Sequence, residues 1–269
     1  MKAIIPAAGM GTRFLPATKA VPKEMLMVVD RPAIQYVVEE AHAASASEVV
    51  IVNSREKTAI EKHFTRDAKL ESVLREKGKD ALANSVQHAG ELPVSFVYQD
   101  EALGLGHAIL CASEKTAGEP FFVLLGDVLV PSNEMLIKME AISKEHNGAS
   151  VIAVVPVPEE EVSRFGVIAG SEVSQGVWKV DSLVEKPAVE DAPSNLCVFG
   201  RYLLSPRVME LLRDVKPSVG GEIQLTDALH EVLKEEEMYA LVIGPEDGYD
   251  TGTPETWLYA NVQIAKGFS

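Results

Sequence analysis

Hydrophobic residues in the first part of the chain form short unbroken runs, and longer segments with helical periodicity separate these runs. The apolar runs are rich in β-branched residues and predict strands at residues 2–6, 47–53, 94–99, 121–125 and 149–157. Apolar side chains three and four positions apart predict helices at residues 33–46, 55–64, 68–86, 106–116 and 132–145. Gly78 interrupts the third helical segment, and Ser132 is placed to cap the last. Apolar strands that alternate with helices are typical of a mostly parallel sheet covered on both faces.

From residue 158 onward the pattern changes to shorter segments that alternate apolar and polar positions, FGVIAG, GVWKVDSLVEKP and NLCVFGRYLL. Helices are predicted at residues 205–215, 226–237 and 254–265, with one further strand at residues 239–243. This pattern favours a smaller α+β lobe folded against the sheet. With no linker or repeat in the chain, we expect one domain over residues 1–269. Its fold class is α/β, with a Rossmann-like, mostly parallel mixed sheet in about residues 1–157 and the lobe in about residues 158–269.

The charge balance limits the possible ligands. The 269 residues include 40 acidic and 25 basic side chains, which gives a formal net charge of −15. Such a chain repels nucleic acid, and no Lys/Arg run provides a local exception. Any phosphate must therefore be held by a few placed cations, together with a metal ion.

The cysteines and the absence of targeting segments predict a location. Cys111 and Cys197 lie in the apolar runs HAILCASE and NLCVFG, which is typical of buried free thiols in a reducing compartment. No signal peptide opens the chain, and no apolar segment has the length of a membrane span. We expect a soluble, cytoplasmic protein without membrane partners.

The loop after the first strand has the composition of a phosphate site. Residues 7–13 read AAGMGTR, and the glycines let backbone N–H groups approach a ligand closely. Arg13 ends the loop with a fork of donors, and Lys23 adds a second cation. The spacing matches neither G-x-G-x-x-G nor G-x-x-x-x-G-K-[ST]. We expect a nucleoside triphosphate here, held in a less common way.

Further polar residues follow other predicted strands, where ligands of open α/β sheets bind. Asp127 follows the strand at residues 121–125 and is suited to Mg²⁺, or else is a turn or capping aspartate. Asp250 is a second carboxylate of this kind, or a loop residue ahead of a helix. Gln99 could read the edge of a base, or lie on the surface at a strand end. The pair Glu185–Lys186 could contact a sugar and its phosphate, or be a solvated charge pair.

Together these segments resemble a known family. GMGTRFLPATKAVPKEML and VDRPAIQYVVEE, and later QDEALGLGHAILCA, PFFVLLGD, SRFGVI, VEKP, APSNLCVFGRYLLSP and GGEIQLTDAL, are similar in order to segments of the bacterial UTP–glucose-1-phosphate uridylyltransferases. These enzymes, the UDP-glucose pyrophosphorylases, belong to the sugar-phosphate nucleotidyltransferases. The likeness extends over the whole chain.

The resemblance implies a function and a set of roles. The enzyme would make UDP-glucose and pyrophosphate from UTP and glucose 1-phosphate, with Mg²⁺ as cofactor, and would be a homo-oligomer, a dimer or tetramer. The residues implied for the uracil and ribose are Ala8, Gly9, Gln99 and Gly104. Gly11 and Arg13 would contact the triphosphate, and Lys23 would stabilise the transition state. Asp127 and Asp250 would bind the metal, and Gly166, Glu185 and Lys186 would receive glucose 1-phosphate.

Two departures and three alternatives accompany this interpretation. Val128 stands where the family has a second aspartate after Asp127, and the ending GYDTGTPETWLYANV is closer to other nucleotidyltransferases. The nearest alternative is a nucleotidyltransferase for dTTP or another sugar, such as galactose 1-phosphate. A metal-dependent glycosyltransferase would have no use for Arg13 and Lys23 around a triphosphate. A silent regulatory relative would not need Arg13, Lys23, Asp127 and Lys186 together.

Overall fold

The computed structural model describes residues 1–268 as alternating strands and helices. The strands are β1 Lys2–Pro6, β2 Met27–Val28, β3 Arg31–Pro32, β4 Glu48–Asn53, β5 Val94–Tyr98, β6 Phe121–Leu124, β7 Val128–Leu129, β8 Ser150–Pro156, β9 Gly166–Ser174, β10 Val177–Glu185, β11 Leu196–Leu204, β12 Met238–Val242 and β13 Tyr249–Asp250. The α-helices are α1 Ala33–Ala43, α2 Thr58–His63, α3 Ala68–Glu76, α4 Asp80–Glu91, α5 Leu105–Cys111, α6 Ser113–Thr116, α7 Glu134–Glu145, α8 Pro206–Leu212, α9 Leu225–Val232 and α10 Pro254–Ala265.

The predicted elements are present, with differences at their ends. The segment at residues 68–86 is two helices, and Gly78 lies between them with φ +69°, a conformation that favours glycine. The helix predicted at residues 106–116 divides into α5 and α6 at Ala112. The Oγ of Ser132 accepts a hydrogen bond of 3.2 Å from the amide of Glu134, where α7 begins. The short strands β2, β3, β7 and β13 were not predicted, because two-residue pairings leave no periodic pattern.

One nine-stranded sheet forms the centre, in the order β5-β4-β1-β6-β11-β8-β12-β10-β9. Only β10 and β11 run opposite to the other strands, so the sheet is mixed, as predicted. The prediction of mostly parallel pairing holds for β5-β4-β1-β6, whereas the insertion of β11 and β10 makes four of the eight neighbouring pairs antiparallel. The carboxyl ends of β1, β4, β5 and β6 therefore meet at one edge. That edge carries the glycine-rich loop and the residues that follow the neighbouring strands.

Strands from the second half of the chain extend this sheet. β11 lies between β6 and β8, and it pairs antiparallel with both. β12 pairs with β8 on one side and with β10 on the other. The lobe therefore shares its backbone hydrogen bonds with the sheet, because the buried edges of β6 and β8 must be satisfied.

Two apolar layers cover the sheet. On one face α1 and α7 pack against side chains such as Ile5, Ile51 and Val151. On the other face α5, α8 and α9 pack against Ile4, Val123 and Ile152. Neighbouring residues of the same strands thus point to opposite faces, which explains why these strands are apolar throughout. No helix within residues 1–268 has the length and apolar character needed to cross a membrane.

A buried ion pair fastens β11 to α1. The guanidinium of Arg201 is fully buried and contacts Oε2 of Glu40 at 2.7 Å. It also donates to the carbonyl oxygens of Leu125, at 3.3 Å, and Val128, at 2.7 Å. These two carbonyls flank Gly126 and Asp127, so the hydrogen bonds of Arg201 stabilise the turn after β6.

Cys197 is buried and Cys111 is partly exposed, and both are free thiols. The predicted burial is thus confirmed for Cys197. For Cys111, at the end of α5, the predicted burial is wrong, because its side chain is partly exposed.

Candidate active site

The loop after β1 is shaped by one glycine in the left-handed conformation and a series of tight turns. Gly11 has φ +64° and begins the 3₁₀ turn Thr12–Phe14, which carries Arg13. The Oγ1 of Thr18 donates to the carbonyl of Gly11 at 2.8 Å. A Cβ at Gly11 would lie 3.2 Å from the Cβ of Lys23, so a larger residue would push against Lys23 as well as strain the backbone.

Lys23 and Asp127 form the central ion pair of this edge. The Nζ of Lys23 donates to Oδ2 of Asp127 at 2.6 Å, and both side chains are about three-quarters buried, with 24% and 27% exposed. Burial disfavours the carboxylate, but the charge and hydrogen bond of Lys23 outweigh burial and lower the pKa of Asp127. The pKa of Lys23 is raised in turn, because Asp127 outweighs the desolvation of the ammonium. Both groups are therefore charged at neutral pH.

Asp250 lies beside Asp127 through the pairing of two short strands. β13 places Asp250 opposite Val128, and the amide and hydroxyl of Thr251 donate to the carbonyl of Asp127 at 2.7 and 2.9 Å. A Cβ at Gly252 would lie 2.9 Å from Oδ1 of Asp250, 3.4 Å from a guanidinium nitrogen of Arg13 and 3.6 Å from Oδ2 of Asp127. Arg13 and the two carboxylates thus converge around Gly252, and no side chain fits between them.

These carboxylates suit a hard divalent cation. Partial desolvation, and then the negative charge of Asp127, raise the pKa of Asp250, so a nearby cation would relieve this repulsion. Carboxylate oxygens are the ligands that Mg²⁺ prefers, and it usually takes one or two of them together with phosphate oxygens and water. Among residues 1–268 no cluster of three acidic, His or Cys side chains forms a complete metal site. Asp127 and Asp250 therefore fit a metal ion that is shared with a phosphate ligand. Val128, the departure from the family pattern, is a buried apolar residue of β7 and offers no oxygen to a metal ion.

Gln99 lies in the interior at the end of β5, with 8% of its surface exposed, so its interpretation as a surface residue is wrong. Its Nε2 donates to the carbonyl of Gly104 at 3.1 Å and to Nδ1 of His107 at 3.0 Å. Gly104 has φ +100°, and a Cβ there would meet the Cβ of Glu222 at 2.7 Å. The turn at residues 99–107 therefore requires glycine and fixes the orientation of the Gln99 amide.

The second predicted group gathers where β9 and β10 pair. Gly166 lies opposite Glu185, and a Cβ at Gly166 would lie 3.3 Å from Oε2 of that carboxylate. Glu185 also accepts a hydrogen bond of 2.6 Å from Oγ1 of Thr226. Lys186 has φ +46° and lies 3.2 Å from Oε1 of Glu185. Glu185 is 14% exposed and Lys186 46%, so the carboxylate is held while the ammonium can reach a ligand.

One electrostatic interaction relates the two groups. The positive charge of Arg164 opposes the rise in the pKa of Asp250, which places the start of β9 within electrostatic range of the carboxylates. Arg164 is two residues from Gly166. The group around Lys23 and Asp127 and the group around Glu185 and Lys186 are therefore candidate parts of one site.

A model of the nucleotidyl transferase family matches residues 2–267, almost the whole chain. The chain belongs to this family. It is 46% identical over 264 residues to the UTP–glucose-1-phosphate uridylyltransferase YngB of Bacillus subtilis, covering 98% of this chain and 89% of that relative. The UTP–glucose-1-phosphate uridylyltransferase of Staphylococcus haemolyticus is 46% identical over 265 residues, covering 98% and 92%. A solved UDP-glucose pyrophosphorylase complexed with UDP-glucose superposes with a TM-score of 0.87 at 39% identity, covering 99% of this chain and 98% of that one.

Two residues of this nucleotidyl transferase were missed by sequence reasoning. Lys57 follows β4, and its Nζ donates to the carbonyls of Ala7 and Gly9 and to the carboxylate of Glu24. Thr226 lies in α9 and holds Glu185. The rule that ligands bind after parallel strands would have found Lys57, since residues 54–57 follow β4 as residues 7–13 follow β1. No pattern indicates Thr226, because its contact joins residues 41 positions apart.

Proposed function

We propose that this nucleotidyl transferase is a UTP–glucose-1-phosphate uridylyltransferase, which makes UDP-glucose and pyrophosphate from UTP and α-D-glucose 1-phosphate. The observation that carries the proposal is the identity of about 46% to enzymes of that name over 98% of the chain. The similarity to a UDP-glucose pyrophosphorylase that holds its product supports the same conclusion.

The arrangement of cations supports the use of two anionic substrates. We assign the triphosphate of UTP to Gly11, Arg13 and Lys23, and the phosphate of glucose 1-phosphate to Lys186. Glu185 and Gly166 would receive the glucose hydroxyls, since a held carboxylate is a strong acceptor for them. The uracil and ribose are assigned to Ala8, Gly9, Gln99 and Gly104.

The reaction needs positioning and charge neutralisation. A phosphate oxygen of glucose 1-phosphate attacks the α-phosphorus of UTP, and the bond from that phosphorus to the bridging oxygen breaks on the opposite side. The electron pair of the broken bond leaves with pyrophosphate, and no proton must move because the nucleophile is already anionic. No general base or covalent enzyme intermediate is therefore required.

Charged side chains would stabilise the negative charge that moves to pyrophosphate during the reaction. Lys23, fixed by Asp127, is proposed to stabilise the negative charge that moves toward the leaving group. Arg13 would grip the phosphates with two parallel donors. Asp127 and Asp250 would hold Mg²⁺, which when bound neutralises phosphate charge and fixes the geometry of the triphosphate. In a chain with a net charge of −15, these few cations must overcome a repulsive background.

A matrix of nucleoside triphosphates and sugar 1-phosphates tests the proposal through pyrophosphate release. We expect release with UTP and glucose 1-phosphate in the presence of Mg²⁺, and none after chelation with EDTA. Preference for dTTP or galactose 1-phosphate would reassign the substrates within the family. No release with any pair would contradict the proposal, and hydrolysis or transfer of glucose from UDP-glucose would favour a glycosyltransferase. A cytoplasmic location and a dimeric or tetrameric state stay predictions, and light scattering after gel filtration tests the second.

A further inference from the structure

Lys57 is the most completely bonded lysine next to the glycine-rich loop, and the reaction described above does not use it. Its side chain is 12% exposed and that of Glu24 is 1% exposed. The Nζ of Lys57 lies 2.6 Å from the carbonyl oxygen of Ala7 and 2.5 Å from that of Gly9. It also lies 2.9 and 3.1 Å from the two carboxylate oxygens of Glu24.

An ion pair with Glu24 would not by itself explain why Lys57 also donates to two backbone carbonyls. Burial pulls both groups toward their neutral forms: it lowers the pKa of Lys57 and raises that of Glu24. The hydrogen bonds that the ammonium donates offset part of that cost. The two extra acceptors, however, are both carbonyls of the loop that follows β1, so the ammonium also fixes the conformation of that loop.

The direction of these carbonyls also fixes the direction of the N–H groups that follow them in the loop. In a trans peptide the C=O of one residue and the N–H of the next point in opposite directions. When the carbonyls of Ala7 and Gly9 point to Lys57, the N–H groups of Ala8 and Met10 must point away from it. Neither N–H donates to any acceptor within residues 1–268. Two backbone donors are thus left for a ligand at the mouth of the site.

We propose that Lys57 is a positioning residue for UTP, because it holds the carbonyls of Ala7 and Gly9 and thereby directs the N–H groups of Ala8 and Met10 at the nucleotide. This inference rests on the proposed function. In this proposal Lys57, which follows β4, determines the conformation of the loop that follows β1. Glu24 compensates the charge of Lys57 and is adjacent to Lys23, so the turn Lys23–Met25 supports both the loop and the central ion pair.

The test separates the loop contacts from the ion pair. Lys57→Met leaves Glu24 buried without its partner and is expected to lower the melting temperature. Lys57→Met combined with Glu24→Gln removes both charges, so the melting temperature should return close to that of the wild-type protein. Lys57→Arg keeps the charge but cannot place one nitrogen among the same four acceptors. Lys62→Met, at an exposed position on α2, is the matched control.

The readouts are equilibrium binding of UTP and steady-state kinetics for each substrate. In the folded double variant we expect kcat/KM for UTP to fall by about 100-fold, while KM for glucose 1-phosphate stays unchanged. Lys57→Arg should show the same selective loss, and Lys62→Met none. A double variant that binds UTP as tightly as the wild type would overturn the inference. Equal loss for both substrates would also overturn it, because that outcome indicates a general structural role. Failure of the wild-type protein to use UTP would instead contradict the proposed function.

Discussion

The ammonium of Lys23 lies 2.6 Å from Oδ2 of Asp127, although 104 positions separate these residues in the chain. A proposed phosphate-binding cation and a proposed metal-binding carboxylate therefore hold each other in place. Each keeps the other charged, since the pKa of Lys23 is raised and that of Asp127 is lowered. The pair unites the loop after β1 with the turn after β6.

Lys23→Ala is predicted to reduce kcat by about 100-fold or more, because a preorganised cation is lost from the transition state. UTP binding should persist through Arg13 and the backbone of the loop. Pyrophosphate release and equilibrium binding measure the two effects separately. Lys19→Ala, at an exposed position in the neighbouring turn Ala17–Lys19, is the control. Near-normal turnover of Lys23→Ala would refute its assigned role.

Asp250→Asn is predicted to raise the Mg²⁺ concentration needed for half-maximal activity by about tenfold or more. The substitution preserves the shape of the side chain but removes one of the two carboxylate charges of the proposed metal site. Magnesium titration of the rate at saturating substrates measures this shift. Asp247→Asn, in the loop before β13, should leave the titration unchanged, and an unchanged titration for Asp250→Asn would exclude it as a ligand.

Gln99 is predicted to select uracil over cytosine. Both hydrogens of its amide are taken by Gly104 and His107, which leaves the oxygen as an acceptor. Uracil presents an N–H at N3, whereas cytosine presents a lone pair there. Gln99→Leu should lower the ratio of kcat/KM for UTP over CTP by about tenfold or more, and His107→Phe should lower it less, since Gly104 still orients the amide. Equal ratios in wild type and Gln99→Leu would contradict this role.

Thr226 is predicted to hold Glu185 for the sugar. Removing its hydroxyl in Thr226→Val deprives a mostly buried carboxylate of a 2.6 Å hydrogen bond, and bonds of this kind are worth about 1.5–3 kcal/mol. We expect KM for glucose 1-phosphate to rise by about tenfold, with little change in KM for UTP. Thr226→Ser keeps the hydroxyl and should restore the wild-type value. If serine and valine behave alike, the hydrogen bond is not the cause.

Glu48 is predicted to make the free energy of unfolding fall as the pH is lowered below about 5. Hydrogen bonds from Lys115 and Ser95, and the nearby Lys2, lower its pKa to about 2. A lowered pKa in the folded state stabilises the protein above the ordinary pKa of a glutamate, and that contribution is lost as pH falls toward 2. Glu48→Gln should therefore cost about 1–2 kcal/mol at pH 7 and make unfolding less dependent on pH between 5 and 2. Urea unfolding at several pH values measures this, with the exposed Glu119→Gln as control. Parallel curves for Glu48→Gln and the wild type would show that the cluster has no such effect.

The sequence predicted most elements, and the glycine-rich turn after β1, for clear physical reasons. A fully buried strand must be apolar on both faces, so β1, β4 and β8 are visible as hydrophobic runs. The loop at residues 7–13 is visible because close backbone approach requires glycine. Contacts between distant residues leave no such trace. The burial of Gln99, the support of Glu185 by Thr226 and the contacts of Lys57 depend on how elements are placed beside each other.

The position of β11 also determines the order in which the molecule can assemble. β6 and β8 are both complete by Pro156, yet neither can pair with the strand that joins them until Leu196–Leu204 has been synthesised. On the ribosome, β8 would remain separate from the β5-β4-β1-β6 strands until that segment emerges, and a fragment ending at residue 157 would leave one edge of β6 and both edges of β8 unpaired. The turn that carries Asp127 would also lack Arg201 until then. The nascent chain should therefore become protease-resistant and able to bind nucleotide late, only after β11 and then β12 have been translated.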